Sequence, residues 1–112
     1  MDVSAAATVK GRIVYRQRIA LSPHAVVTVR LEDVSKMDVA ATVIAETTLN
    51  NPGQVPIAFA LPYDPSRIEP GHRYALRVRI EEEGQLRFIN TRSVPLPSAT
   101  DTPDILVEPV SA

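Results

Sequence analysis

The sequence predicts an all-β protein: a single-domain antiparallel β-sandwich of about seven strands, of the immunoglobulin or transthyretin type. Apolar and polar residues alternate along most of the chain, which is the pattern of strands buried on one face. Ten prolines and four glycines separate these segments at short intervals, as turns do in sandwiches. The length of 112 residues is that of one domain. We assign residues 1–7 to a flexible N-terminal segment and residues 8–112 to the sandwich.

Period-two alternation defines the individual strands. In the first segment, Val9, Gly11 and Ile13 occupy one face, and Lys10 and Arg12 occupy the other. The predicted strands are residues 8–16, 25–34, 41–49, 54–61, 73–81, 85–91 and 104–110. The residues expected in the core are Ile13, Val27, Val29, Leu31, Phe59, Tyr74, Leu76, Val78 and Phe88.

Two segments bear on helix content. Asp38 is a candidate cap for a helix over residues 39–46, but Thr42, Val43 and Ile44 are β-branched and favour a strand. We therefore predict a strand there, and at most one short helical turn, within residues 65–69.

The register of one hairpin follows from its loop. A three-residue loop over residues 82–84 places a glycine where a left-handed bulge residue belongs. It pairs Ile80 with Leu86 and Val78 with Phe88, all pointing inward. A two-residue loop would break this alternation, so we predict the longer loop.

The same register predicts a surface site. It sets Arg79 opposite Arg87 on the outer face, with Arg77 beside both. Like charges that face each other across a ladder are unfavourable. Either acids on the adjoining strand neutralise these arginines, or Arg77, Arg79 and Arg87 bind an acidic partner.

Tyr74 and two prolines mark the ends and margins of the sheets. Tyr74 follows Pro70-Gly71, so it is either a tyrosine corner that bonds back to the preceding loop or an inward-packed residue with its hydroxyl at the rim. Proline donates no hydrogen bond to a ladder, so Pro56 and Pro109 mark edge strands or bulges.

The composition offers little chemistry. The absence of cysteine excludes disulfides and thiolate zinc sites, and the net charge of −1 argues against nucleic-acid binding. His24 and His72 lie in separate turns, where we expect surface residues, and their spacing fits no metal motif. Asp64, Ser66 and His72 are more simply turn formers than a catalytic triad. We predict no enzymatic activity, no metal and no cofactor.

The chain resembles a known family in six segments. These are residues 9–21 (VKGRIVYRQRIAL), 23–29 (PHAVVTV), 31–35 (LEDVS), 54–59 (QVPIAF), 62–64 (PYD) and 74–80 (YALRVRI). They resemble the YbaY-like lipoproteins, a family that includes the YscW-type lipoprotein chaperones, or pilotins, of type III secretion. The resemblance implies a β-sandwich at the periplasmic face of a bacterial envelope membrane. For the pilotin branch it implies assistance to an outer-membrane secretin.

The sequence shows neither a signal peptide nor a lipidation cysteine. We expect membrane contact only through a lipid anchor absent from this chain, or a cytoplasmic location if the chain is complete as given. The expected partner is an envelope or secretion-system protein, and the expected state is a monomer or a weak dimer.

Three functions compete at this point. The leading interpretation is a non-enzymatic envelope module that binds a protein partner by strand addition at a sheet edge. The second is an enzyme or ligand-binding domain acting on an envelope polysaccharide, which requires His24, His72, Asp33 and Asp64 to converge in one cleft. The third is a purely structural module.

Overall fold

The computed structural model describes residues 7–36, 39–98 and 100–110. Within them the chain forms nine strands: β1 (Ala7–Val14), β2 (Ala25–Asp33), β3 (Thr42–Asn50), β4 (Ile57–Tyr63), β5 (Tyr74–Glu82), β6 (Gln85–Ile89), β7 (Val94–Pro95), β8 (Asp104–Leu106) and β9 (Glu108–Pro109). A single 3₁₀ turn, Pro65–Arg67, confirms the predicted helical turn. Among the described residues, no helix has the length and apolar character needed to cross a membrane. Residues 1–6 of the predicted flexible segment, and the candidate cap Asp38, lie outside the described residues.

The strands form two sheets, which confirms the predicted sandwich. The smaller sheet has the order β4-β1-β8, and the larger has the order β3-β2-β5-β6-β9, with β7 also paired to β5. All pairs are antiparallel except β1 with β8, which is parallel. The segment over residues 42–50 is a strand, as its β-branched residues predicted. The strand β7 was missed because two residues, one of them proline, carry no periodicity.

The C-terminal segment closes one side of the sandwich. The single strand predicted over residues 104–110 is wrong, because the chain leaves one sheet and joins the other at Val107. β8 pairs with β1, and β9 pairs with β6. Val107 is fully buried, and its N–H donates to the carbonyl of Val14 at 2.9 Å. Both sheets therefore share this segment as their margin.

On the opposite side of the sandwich, which we call the open side, no ladder joins the two sheets within the described residues, although β3 and β4 approach each other. There β3 is the outer strand of the larger sheet and β4 is the outer strand of the smaller one. Pro109 lies in the outer strand β9, as predicted for an edge. Pro56 precedes β4 by one residue instead of interrupting a strand.

All nine residues predicted for the core are buried, which confirms that prediction. The ring of Tyr15 stacks on Phe88 with a centroid distance of 4.6 Å. Gly11 lies opposite Phe59, and a Cβ atom at position 11 would lie 2.8 Å from that ring, so a larger residue there would force the ring to move. Sequence patterns missed three buried apolar residues, Leu21, Ile105 and Val107, and two buried polar residues, Glu32 and Asn90.

The β5–β6 hairpin corrects the predicted register. Its turn has two residues, Glu83 and Gly84, both with positive φ (50° and 81°), as a type I′ turn requires. Ile80 pairs with Phe88, and Arg87 is the extra residue of a bulge. The predicted three-residue loop and its pairings are therefore wrong. The bulge returns Phe88 to the inward face, so the apolar alternation survives a shorter loop.

Phe88 should be a major source of stability. Its side chain is 1% exposed, so Phe88→Ala should lower the free energy of unfolding by ~3–5 kcal/mol, because a large cavity would remain. Chemical denaturation measures this loss. The matched control is Leu86→Ala in the same strand, whose half-buried side chain should cost less than about 1.5 kcal/mol. Equal losses for the two variants would contradict the bulged register.

Candidate functional site

The three arginines predicted as a partner-binding site lie on or near the outer face of the larger sheet. Arg77 and Arg79 point outward from β5, and Arg87 occupies the β6 bulge. Arg79 pairs with Ile89, so the predicted opposition of Arg79 and Arg87 is wrong. Arg77 instead faces Arg30 of β2.

Carboxylates of the same sheet neighbour these arginines. The three pairs are Arg77 Nε with Glu32 Oε1 at 3.3 Å, Arg79 Nη2 with Glu81 Oε2 at 3.2 Å, and Arg87 Nη1 with Glu82 Oε1 at 3.0 Å. The arginine side chains are 38–53% exposed. Only the Arg79–Glu81 pair is exposed on both sides, and such a pair contributes about 0–1 kcal/mol, so Arg79 would exchange its partner for another carboxylate at little cost. Glu32 and Glu82 are only 8% and 14% exposed, so they hold Arg77 and Arg87 from within the sheet. A partner-binding role for Arg77, Arg79 and Arg87 remains a prediction.

A cleft of about 590 Å³ opens at one end of the sandwich. The ends of β2 and β3 and the β4–β5 connection line it, and its polar residues include Asp33, Ser35, Glu69 and His72. The buried Tyr74 holds this connection against the core, because its hydroxyl accepts a hydrogen bond from the N–H of Glu69 at 2.8 Å. This bond back to the preceding loop is that of a tyrosine corner.

Asp33 and His72 form the main charged pair of the cleft. His72 Nδ1 lies 2.7 Å from Asp33 Oδ2. The hydrogen bond to His72 lowers the pKa of Asp33 to about 2, with further help from Ser35. The same bond raises the pKa of His72 above its ordinary value. The pair joins the end of β2 to the β4–β5 connection.

The convergence required for catalysis is incomplete. His24 precedes β2 and Asp33 ends it, so a strand of nine residues separates them by roughly 30 Å. The hydroxyl of Ser66 donates to Asp64 at 2.7 Å, so its proton is not directed at His72. Of the four residues in question, only Asp33 and His72 meet. In the described part of the chain, no group of three or more His, Cys, Asp or Glu residues is placed to hold a metal ion.

The open side of the sandwich presents free backbone groups on β3. At the end of this strand, the N–H of Asn51 donates to the carbonyl of Ala25 at 3.0 Å. Backbone groups of an antiparallel strand alternate between its two sides. The N–H and C=O groups of Glu46, Thr48 and Asn50 therefore point away from β2, along the free edge.

The edge of β4 is less suited to pairing. The N–H of Arg12 donates to the carbonyl of Pro103 at 2.9 Å, so Arg12 directs its backbone toward the β8 side. Ala58, Ala60 and Pro62 of β4 pair with Arg12 and with the two alternate residues of β1 that precede it. The backbone groups of these three β4 residues therefore point away from β1, toward the free side. Because Pro62 has no N–H, the β4 edge lacks a donor that β3 retains.

Sequence reasoning did not identify the β3 edge as a site. Residues 42–50 are rich in threonine and free of proline, which indicates a strand but not its place in the sheet. β3 is an edge because no strand among residues 7–36, 39–98 and 100–110 pairs with its outer side, and this order of strands depends on contacts between distant segments.

Comparisons with known proteins agree on one family. The type III secretion system lipoprotein chaperones (YscW) match residues 4–105. The uncharacterized lipoprotein YbaY of Escherichia coli (strain K12) is 35% identical over 89 residues, which is 79% of this chain and 47% of that protein. The chain thus spans about half the length of this relative. An alternative pilotin from the type II secretion system of Vibrio cholerae has a solved structure with a TM-score of 0.89 and 41% identity, covering 96% of this chain and 100% of that one.

The Asp33–His72 pair should make stability depend on pH. The raised pKa of His72 adds stability that is complete below its ordinary value of 6.5 and is lost as pH rises through the folded value. The lowered pKa of Asp33 adds stability above 3.8 that is lost as pH falls through about 2. The melting temperature of Asp33→Asn should therefore fall furthest below that of the wild type between about pH 4 and 6.5.

NMR titration of the His72 ring gives a second measure of this pair. Asp33→Asn should move the pKa of His72 down toward 6.5. Asp64→Asn is the control, because it removes the same charge from a residue that bonds Ser66. An unchanged His72 titration in Asp33→Asn would contradict the assigned pair.

Proposed function

Because this chain belongs to the YscW family of type III secretion system lipoprotein chaperones, we propose that it is a non-enzymatic envelope module that binds an extended segment of a secretion-system protein. The free edge of β3 is the observation that carries the proposal. The relatives, a lipoprotein and a pilotin, support a location in the bacterial envelope, and we propose the periplasmic face of a membrane within it. They lend no support to the cytoplasmic alternative.

Strand addition fits the chemistry of β3. Three residues, Glu46, Thr48 and Asn50, offer alternate donors and acceptors, which give affinity for any extended backbone. Side chains give selectivity. The inward-facing Ala45 and Leu49 are half-buried and pack on the core at the open side of the sandwich. A partner segment should therefore alternate apolar residues, which extend this row, with polar residues that face outward.

The outer face of the same sheet carries arginines that could attract acidic residues next to the paired segment of the partner. Arg30 is paired with Glu46 across the β2–β3 ladder, and Arg77 lies beyond Arg30 on β5. The side chains of Arg77, Arg79 and Arg87 are themselves 38–53% exposed, and exposed cations attract acidic groups over a distance of about one Debye length. We propose that Arg77, Arg79 and Arg87 accelerate association and do not provide the main affinity.

Binding of synthetic peptides tests the proposal. Peptides of about 15 residues, long enough to run along β3 at ~3.4 Å per residue, would tile the outer-membrane secretins encoded in the same genome. Thr48→Pro removes one edge donor and places a ring where the added strand would lie. It should raise the Kd of a bound peptide at least about tenfold, equivalent to ~1.4 kcal/mol. Proline is tolerated where the N–H faces solvent, so the fold should persist.

Two control variants separate the possible outcomes. Thr48→Ala removes the side chain but keeps the backbone donor, and should bind as the wild type does. Arg79→Glu should slow association and weaken its salt dependence, with little change in melting temperature. A bound peptide that turns helical by circular dichroism and ignores Thr48→Pro would disprove strand addition. If no secretin peptide binds, the proposed partner class is wrong.

A further inference from the structure

Arg67 reaches from the β4–β5 connection to the free edge of β3. Its Nη1 donates to the carbonyl of Ile44 at 2.9 Å, and its Nη2 lies 3.5 Å from the carbonyl of Val43. Ile44 is the extra residue of a bulge, because Ala45 pairs with Leu31 while Val43 pairs with the next residue of β2. The edge carbonyls at the start of β3 are thus already bonded, and the ladder is irregular there.

The backbone that carries Arg67 is held in place. Asp64 caps the 3₁₀ turn by accepting from the N–H of Ser66 at 2.9 Å, and the N–H of Arg67 donates to the carbonyl of Asp64 at 3.0 Å. The hydroxyl of Tyr74 lies 3.4 Å from the carbonyl of Arg67 and bonds the N–H of Glu69. Because Tyr74 is buried, the turn is fixed to the core. The guanidinium group therefore extends to the edge from a fixed backbone position, and its planar fork can donate to two neighbouring carbonyls.

We infer that Arg67 is a stop that ends the pairing surface of β3, so that a partner segment pairs along Ala45–Asn50 and takes its register from this side chain. The inference rests on the proposed strand addition. A strand that pairs beyond Ala45 must displace the guanidinium group from two carbonyls.

A stop at Arg67 would fix the register in which a partner strand pairs with β3. A partner segment that slides by two residues keeps the same side chains facing inward, so alternation alone does not distinguish the registers. Occupation of one end of the edge by Arg67 does distinguish the registers, because any register in which the partner runs past Ala45 is excluded. It also shortens the exposed edge, which limits unwanted pairing with other strands.

Residue-resolved hydrogen exchange on the complex with the tightest-binding secretin peptide tests the inference. In the wild type, bound peptide should protect the amides of Glu46, Thr48 and Asn50 and leave those of residues 42–44 unchanged. Arg67→Met keeps the apolar stem and removes only the hydrogen-bonding group. In this variant, protection should extend into residues 42–44. The Kd should also fall severalfold, since about two further backbone hydrogen bonds form.

The control is Arg73→Met, which changes the same charge within the β4–β5 connection. The side chain of Arg73 is exposed, and its backbone N–H bonds Ser35, so the boundary of protection should match the wild type. The stop is disproved if peptide protects residues 42–44 in the wild type, or if Arg67→Met leaves the boundary unchanged. In both cases strand addition stands. Absence of protection anywhere along β3 would overturn strand addition and the stop together.

Discussion

The hydrogen-bonding groups at the margins of the two sheets constrain the rest of this structure. Every outer strand carries a row of donors and acceptors that must meet protein, water or a partner. On one side of the sandwich the chain solves this by crossing between sheets at Val107, so that β8 and β9 complete both ladders. On the other side no segment crosses among the described residues, and β3 and β4 remain as edges. The asymmetry of these two sides is the basis for the proposed addition of a partner strand at β3.

A different feature limits strand pairing at each of the two open edges, β3 and β4. On β4, Pro62 removes a donor, and on β3 the bulge at Ile44 and the guanidinium group of Arg67 occupy one end. The middle of β3 keeps its free groups at Glu46, Thr48 and Asn50. A purely structural module would gain from protection of the whole edge, since free edges invite aggregation. The unprotected middle of β3 is the part of the edge that the proposed strand addition uses.

The sequence predicted those features that depend on local alternation. Inward residues such as Val78 and Phe88 follow from period two, and Tyr74 was expected at a strand entry after Pro70-Gly71. The hairpin register failed because a bulge at Arg87 and a longer loop both direct Phe88 inward, so alternation does not distinguish them. The split of the last strand at Val107 also escaped prediction, since the apolar run over residues 105–107 passes through the change of sheet without marking it.

The candidate site was less predictable than the fold, because its contacts join distant parts of the chain. Asp33 meets His72 across 39 positions, and Arg67 reaches Ile44 across 23. The sequence placed arginines at positions 77, 79 and 87 on the surface, but it did not reveal the carboxylate that neighbours each of them. To predict which strand is an edge, or which charged residues pair, one must know the order of the strands. The alternation of side chains does not give this order.

Amide hydrogen exchange along β3 of the free protein tests the open edge most directly. Amides of Thr47 and Leu49, which face β2, should be protected as strongly as that of Val107 on the closed side. Amides of Glu46, Thr48 and Asn50 should exchange at least about tenfold faster, because they face water. Uniform protection along β3 would show that the edge is already covered, which would contradict the account.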